Sequence, residues 1–269
     1  MATKPTNRQW TKTLLLLGSL IVFMASCKKD NDPQPPPSPV TQKLAEFRKD
    51  DEFIRLSYNT DNTVKKATVK SDLNTGGAVV DYDITYNAEK KVAFMQSSEG
   101  EKIVPVYEDG KMIRADVFEG AQRTGYTSYY YKNGNLDFVT IYLNYGGTDY
   151  QPLLTFVFEY DMKNNLLETV VMMASGEPGR LDRAGHIEYT HDDKTNPLYT
   201  HKDLLALFWQ GVSKNNIMEE NHFDADLKPE DRFTYAYNYK SNGLPSHATV
   251  RQGLPGRPIT TSDVDFIYK

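Results

Sequence analysis

The sequence predicts an all-β protein, an up-and-down antiparallel meander that forms a barrel or a strongly curved half-barrel. Three observations point there. From Phe53 onward, short runs rich in Val, Ile, Tyr, Phe and Thr are broken at close intervals by Asn, Asp and Gly, the pattern of strands joined by tight turns. One hairpin-sized unit recurs: it is plainest at Tyr129–Val139, with looser copies starting at Tyr58, Tyr86, Tyr107, Tyr160, Tyr189 and Tyr239. Its turn tyrosines are unevenly spaced, between 21 and 50 residues apart, which excludes a strict solenoid or propeller. A single sheet with that many strands has to curl or close.

The N-terminus has a different character. Lys4, Arg8 and Lys12 precede a short apolar run, Leu14 to Phe23, so residues 1–26 read as an export signal. The run is about half the roughly 20 residues needed to span a bilayer core. It ends in Met24-Ala25-Ser26-Cys27, with the chain's single cysteine last. This resembles the lipobox of bacterial lipoproteins, and the resemblance implies cleavage before Cys27 and acyl chains on that residue as a membrane anchor. Several acyl chains hold a protein stably, whereas one binds only marginally. Residues 27–40 continue through Lys28-Lys29-Asp30-Asn31-Asp32 into five prolines between Pro33 and Pro39, a polyproline-type spacer. The acidic residues soon after the cysteine resemble the sorting context of Bacteroidota-type lipoproteins, which implies the outer membrane and leaves its surface or periplasmic face open. Residues 41–269 then read as a single all-β domain.

Charge narrows the partners. The chain carries a net charge of −5, and removing residues 1–26 takes three basic side chains and no acidic ones, giving −8. With no Lys/Arg cluster in the body, no nucleic-acid partner is expected, since such proteins present a basic patch or stripe.

In the body, Asp50-Asp51 suit a hairpin turn, although Leu44 and Phe47 also have helical spacing. Further turns are expected at 59–63, 74–77, 87–90, 108–111, 132–135, 161–165 and 240–243, and the glycine-bearing stretch 176–185 reads as a hairpin loop. Side chains alternate faces along a strand. Val80, Tyr82, Ile84 and Tyr86 therefore share one face, as do Leu154, Phe156, Phe158 and Tyr160, and Phe233, Tyr235, Tyr237 and Tyr239. The turn tyrosine is in register with the apolar row each time. It is expected to close the end of the core and send its hydroxyl to a turn backbone group or water, more than to form a sugar-stacking ladder.

The repeat fails between Tyr189 and Asn216. Here Leu204, Leu205, Leu207 and Phe208 have helical spacing and Gly211 suits a helix stop, so a short helix near 203–210 is expected to plug or lid one end. Tyr189, His191, Asp192, Asp193, Leu204, Phe208 and Trp209 are the candidate ligand or lid region.

Three stretches carry a family resemblance: Tyr189-x-x-Asp192-Asp193-Lys194-Thr195-Asn196-Pro197-Leu198, Ser213-Lys214-Asn215-Asn216-Ile217, and the run from Tyr237 to Pro245. From about residue 43 to the end the chain resembles an uncharacterised group of Bacteroidota-type lipoproteins, a domain of unknown function with a porin-like fold. Single hairpins also resemble the YD repeats of Rhs-type proteins. The resemblance implies a porin-like barrel or half-barrel and brings no catalytic residues. Runs such as 63–70 and 109–116 are too charged for the outward apolar band of a membrane barrel, so the body is expected to be soluble on its tether.

Nothing in the sequence names a reaction. There is no GxSxG elbow and no cysteine beyond Cys27, so no nucleophile signature. His186, His191 and His201 with Asp192 and Asp193 lack metal-ligand spacing, and an odd separation puts His186 and His191 on opposite faces of one strand. No metal, cofactor or catalytic residue is therefore expected. The leading reading is a non-catalytic binding or scaffold module with a glycan or envelope protein as partner. A carrier of an apolar ligand inside the barrel comes second, and a polysaccharide-acting enzyme third.

Overall fold

The computed structural model describes residues 42–70, 77–144, 149–177, 179–254, 256 and 258–269. The signal segment, Cys27, the spacer and most of the turn expected at 74–77 lie outside the described residues. Sixteen strands succeed one another along the chain: β1 (Leu44–Lys49), β2 (Glu52–Tyr58), β3 (Val64–Lys70), β4 (Val79–Tyr86), β5 (Val92–Ser97), β6 (Glu101–Glu108), β7 (Lys111–Glu119), β8 (Gln122–Lys132), β9 (Asn135–Asn144), β10 (Tyr150–Tyr160), β11 (Leu166–Ala174), β12 (Leu181–Thr195), β13 (Asn215–Asp224), β14 (Pro229–Tyr239), β15 (Pro245–Gln252) and β16 (Thr260–Tyr268). Each pairs antiparallel with its sequence neighbours, and β1 pairs with β16, so the meander closes fully. The half-barrel alternative is set aside by that last pairing, which joins Phe47 to Phe266 and leaves no edge strand open.

Turn chemistry fixes the hairpins. At 59–63, 87–91, 161–165, 224–228 and 240–244 the backbone makes the same two bonds: the first N–H to the fifth carbonyl, and the fourth N–H to the first carbonyl. The fourth residue of each adopts positive φ: Asn62, Lys90, Asn164, Leu227 and Gly243. Asx side chains stiffen these turns. The Asn87 Oδ1 accepts from Glu89 and Lys91 N–H, and the Asp161 Oδ1 accepts from Lys163 and Asn165 N–H. A register shift precedes the turn tyrosine in β2, β4, β6, β8, β10 and β14. These bulges bend the strand ends and raise the local twist, as closure needs. The 176–185 loop is shorter than expected, because β12 already begins at Leu181.

The face phase holds. Inward rows such as Leu154, Phe156 and Phe158, and Phe233, Tyr235 and Tyr237, are buried in one core that draws on all sides of the barrel. Outward rows of β1–β4 and β13–β16 carry charge ladders, including Arg55–Glu46 at 2.7 Å, Lys66–Asp81 at 2.8 Å and His247–Asp265 at 3.0 Å. An apolar lumen and a polar outer wall invert the arrangement of a water-filled membrane barrel. The outer wall of β8–β10 differs, with ring pairs Tyr126–Tyr142 and Tyr130–Phe138 stacked at 4.5 and 4.2 Å. No helix among the described residues is long and apolar enough to cross a membrane.

The β12–β13 connection enters the lumen. Asn196 accepts from the Leu198 N–H and starts a 3₁₀ turn, Pro197–His201, that runs into α1 (Lys202–Ala206). The helical segment thus begins earlier than the apolar stripe indicates, because Pro197 suits a first helical position and Asn196 caps it. Five α-helical residues cannot hold a helix unaided. This one is fixed by burial of Leu198, Leu204, Leu205, Ala206 and Leu207 in the core. Trp209, at φ +63°, is the left-handed residue that ends the segment. Gly211 serves another purpose: a Cβ there would lie 2.8 Å from Phe158 Cδ1 and 2.8 Å from the Tyr160 hydroxyl, so glycine lets the backbone press against β10.

Candidate functional site

The segment that breaks the repeat is a plug packed within the barrel. Phe208 meets Tyr82 of β4 edge-on at 5.3 Å, and the Trp209 indole N–H donates to Thr127 Oγ1 of β8 at 3.1 Å. His191 Nε2 lies 2.7 Å from Ser213 Oγ, which also accepts from the Leu166 N–H. Burial pulls the His191 pKa down to about 4, against a small opposing pull from Asp161. Asp192 accepts from the Tyr239 hydroxyl and from Asn216 Nδ2, and its burial raises its pKa against those bonds. Tyr189 is buried and donates to Thr169 Oγ1 at 3.2 Å, while Asp193 is exposed and pairs with Lys194 at 3.1 Å. Phe208, Trp209 and, through Ser213, His191 thus anchor the plug, whereas Tyr189 and Asp192 bond to neighbouring strands of the wall. Leu204 alone of the candidate region also lines an open pocket.

That pocket, about 620 Å³, lies at the barrel end where the tyrosine-bearing turns cluster. In an up-and-down meander alternate turns share an end, so the turns after β2, β4, β6 and β8 ring one mouth, and β1 starts and β16 finishes there. Its wall carries Tyr58, Tyr86, Tyr107 and Tyr131, and its floor is the start of the plug, with Asn196, Pro197, Thr200, His201, Asp203 and Leu204. Among the described residues four lysines, Lys43, Lys90, Lys91 and Lys111, also line it, against Asp203 as the lone lining carboxylate.

The turn tyrosines are held rigidly. Tyr58 donates to the Leu44 carbonyl at 2.6 Å and lies 3.1 Å from His201 Nε2. Tyr268 donates to the Pro245 carbonyl at 2.8 Å, and Tyr86 and Tyr107 set their hydroxyls against the backbone of Val64 and Val92. Each hydroxyl thus reaches the first residue of a strand in the preceding hairpin, as the turn-sealing reading expects. Burial pushes the Tyr58 and Tyr107 hydroxyls up to about 12, so both remain protonated donors. Burial likewise depresses the His201 pKa, favouring the neutral imidazole. Sequence reasoning missed this mouth, because its lysines and tyrosines lie in separate hairpins and meet only when the barrel closes.

Three other groups bear on chemistry. Glu220 is fully buried in the lumen, where burial raises its pKa while His222, at 2.7 Å, and the Tyr235 hydroxyl share its charge. The Ser213–His191 pair has the spacing of a nucleophile and its base, but Ser213 is 2% exposed and its oxygen already receives the Leu166 N–H. His186 sits on the opposite side of β12 from His191, between Glu168 at 3.1 Å and Glu188 at 3.4 Å. Among the described residues no group of three or more His, Cys, Asp or Glu is placed to hold a metal.

A closed sixteen-stranded antiparallel barrel with an apolar, plugged lumen and a tyrosine-ringed mouth is thus the class of protein that the fold defines. Among solved structures it is similar to a porin-like protein from Bacteroides uniformis, with a TM-score of 0.60 at 14% identity, covering 87% of this chain and 99% of that one. A porin-like protein from Bacteroides vulgatus is more distant, with a TM-score of 0.46 at 13% identity over 85% and 99% of the two chains. The likeness is one of fold. The sequence matches no protein-family model and no curated protein.

Proposed function

We propose that this chain is a non-catalytic binding barrel, tethered to the outer membrane through acyl chains on Cys27, and that its mouth is the binding site for a glycan or a segment of an envelope partner. The observation that carries this reading is the 620 Å³ pocket walled by turn tyrosines and floored by the plug, within the roughly 300–1,000 Å³ range of ligand pockets. The porin-like fold of the solved neighbours is consistent with an outer-membrane setting. Lys43 and Lys269 exchange backbone hydrogen bonds at the mouth end, so a tether ahead of β1 would leave from the binding face and hold it toward the membrane.

The apolar-carrier reading is set aside, because side chains and the plug fill the lumen that such a ligand would need. A glycosidase needs two carboxylates facing a cleft, and among the described residues Asp203 is the carboxylate that lines the mouth. The test is a glycan screen and a pull-down from envelope extract with the full-length protein, repeated with Thr200→Trp, which fills the pocket. Capture lost in that variant is expected. Capture unchanged by it would move the site elsewhere.

A further inference from the structure

Resting on the mouth reading above, we infer that the mouth is an anion site, which takes a small hydroxylated ligand through phosphate, sulfate or carboxylate groups held by Lys43, Lys91 and Lys111. The ammonium groups of these lysines lie over tyrosine rings one hairpin further on: Lys43 over Tyr58 at 5.2 Å, Lys91 over Tyr107 at 5.6 Å and Lys111 over Tyr131 at 5.9 Å from the ring centroids. The same device recurs around the barrel end as Lys240 over Tyr268 at 4.2 Å.

A cation held by a ring quadrupole keeps its full charge. The arrangement therefore does two things. It covers ring faces on which a neutral sugar would stack, and it fixes ammonium groups beside the pocket, of which those of Lys43 and Lys111 have no carboxylate partner among the described residues.

The carboxylate count agrees. Lys43 donates to the neutral Asn62 Oδ1, and Lys111 forms no ion pair among the described residues. Lys90 and Lys91 do pair, with Asp61 at 3.1 Å and Glu89 at 2.7 Å, but these partners are 42% and 70% exposed and stand outside the pocket lining. Such surface pairs are weak and readily exchanged for a better-placed anion. Four lysines against one carboxylate among the described lining residues is also the reverse of a chain whose net charge is −5. The exposed residues Thr195 and Thr200 also belong to the lining, with the Thr200 hydroxyl donating to the Pro197 carbonyl at 3.2 Å and its oxygen left to accept from a hydroxylated ligand body. The anion could belong to a saccharide or to a lipid headgroup of the membrane that the tether would reach.

The test titrates the full-length protein in nonionic detergent with digalacturonic acid, its neutral counterpart galactobiose and inorganic phosphate, and separately with vesicles of phosphatidylglycerol or phosphatidylcholine. Mouth resonances report binding by NMR. The expected result is binding of an anionic probe that weakens as salt rises from about 0.05 to about 0.5 M. In the Lys91→Gln/Lys111→Gln double variant it should fall about tenfold or more. Circular dichroism of that variant checks that the barrel is intact. Digalacturonate or phosphate binding assigns the anion to a soluble ligand, and phosphatidylglycerol binding without either assigns it to a headgroup. Galactobiose bound at the mouth as tightly as digalacturonate, or anion binding unchanged in the double variant, overturns the inference and leaves the pocket reading standing. If no probe, charged or neutral, perturbs the mouth, both are overturned.

Discussion

Replacing Gly211 by alanine tests the plug most sharply. The added Cβ would lie 2.8 Å from both Phe158 Cδ1 and the Tyr160 hydroxyl and 3.0 Å from Phe158 Cε1. None of these atoms is the loose end of a flexible chain. Phe158 is 5% exposed, and the Tyr160 hydroxyl is held at the Val212 backbone. Either β10 or the plug must move, and overpacking of this kind costs about 1–3 kcal/mol. Lost backbone freedom in the unfolded chain returns less than about 1 kcal/mol, so the net effect is destabilising. At about 2 kcal/mol the melting temperature should fall by roughly 4–8 °C in a domain of this size. Thermal melts by circular dichroism measure this, with the exposed Lys202→Ala on the same segment as the control. An unchanged melting temperature in Gly211→Ala would refute the claim that the connection is pressed against the barrel wall.

Two further outcomes follow from the anchoring residues. His191 has a folded pKa of about 4 against an ordinary 6.5, so the unfolded chain takes up a proton that the fold refuses. Stability should fall as pH drops from 6.5 toward 4, and pH-dependent urea melts should show a shallower fall in His191→Gln. Tyr239→Phe removes the hydroxyl that donates to the half-buried Asp192 and accepts from Asn216, and should cost about 2 kcal/mol, read as a lower urea midpoint at an unchanged slope.

The sequence made the hairpins legible because each depends on neighbours. Asn87 and Asp161 stiffen turns through bonds spanning at most four residues, and the two-residue alternation that puts Tyr82 and Phe158 inside needs only one strand. Full closure was not legible, since it rests on β1 meeting β16 across the whole chain. The plug was legible as a break in the repeat, but its direction was not. Phe208 and Trp209 read equally well as a lid until Tyr82 and Thr127 are found facing them from distant strands. Gly211 likewise reads locally as a helix stop, and its close approach to Phe158 is a property of the assembled wall. The mouth stayed hidden for the same reason, because Lys111 lies over Tyr131 only once their hairpins stand side by side.

Hydrogen exchange on the full-length protein, with and without the ligand recovered from envelope extract, shows whether the mouth is where the ligand sits. Binding at the mouth should slow exchange at the turns 59–63, 87–91 and 109–110 and in the plug segment 196–204, all of which border it. Protection confined to the outer wall around Tyr126, Tyr130, Phe138 and Tyr142, with the mouth unchanged, would contradict it.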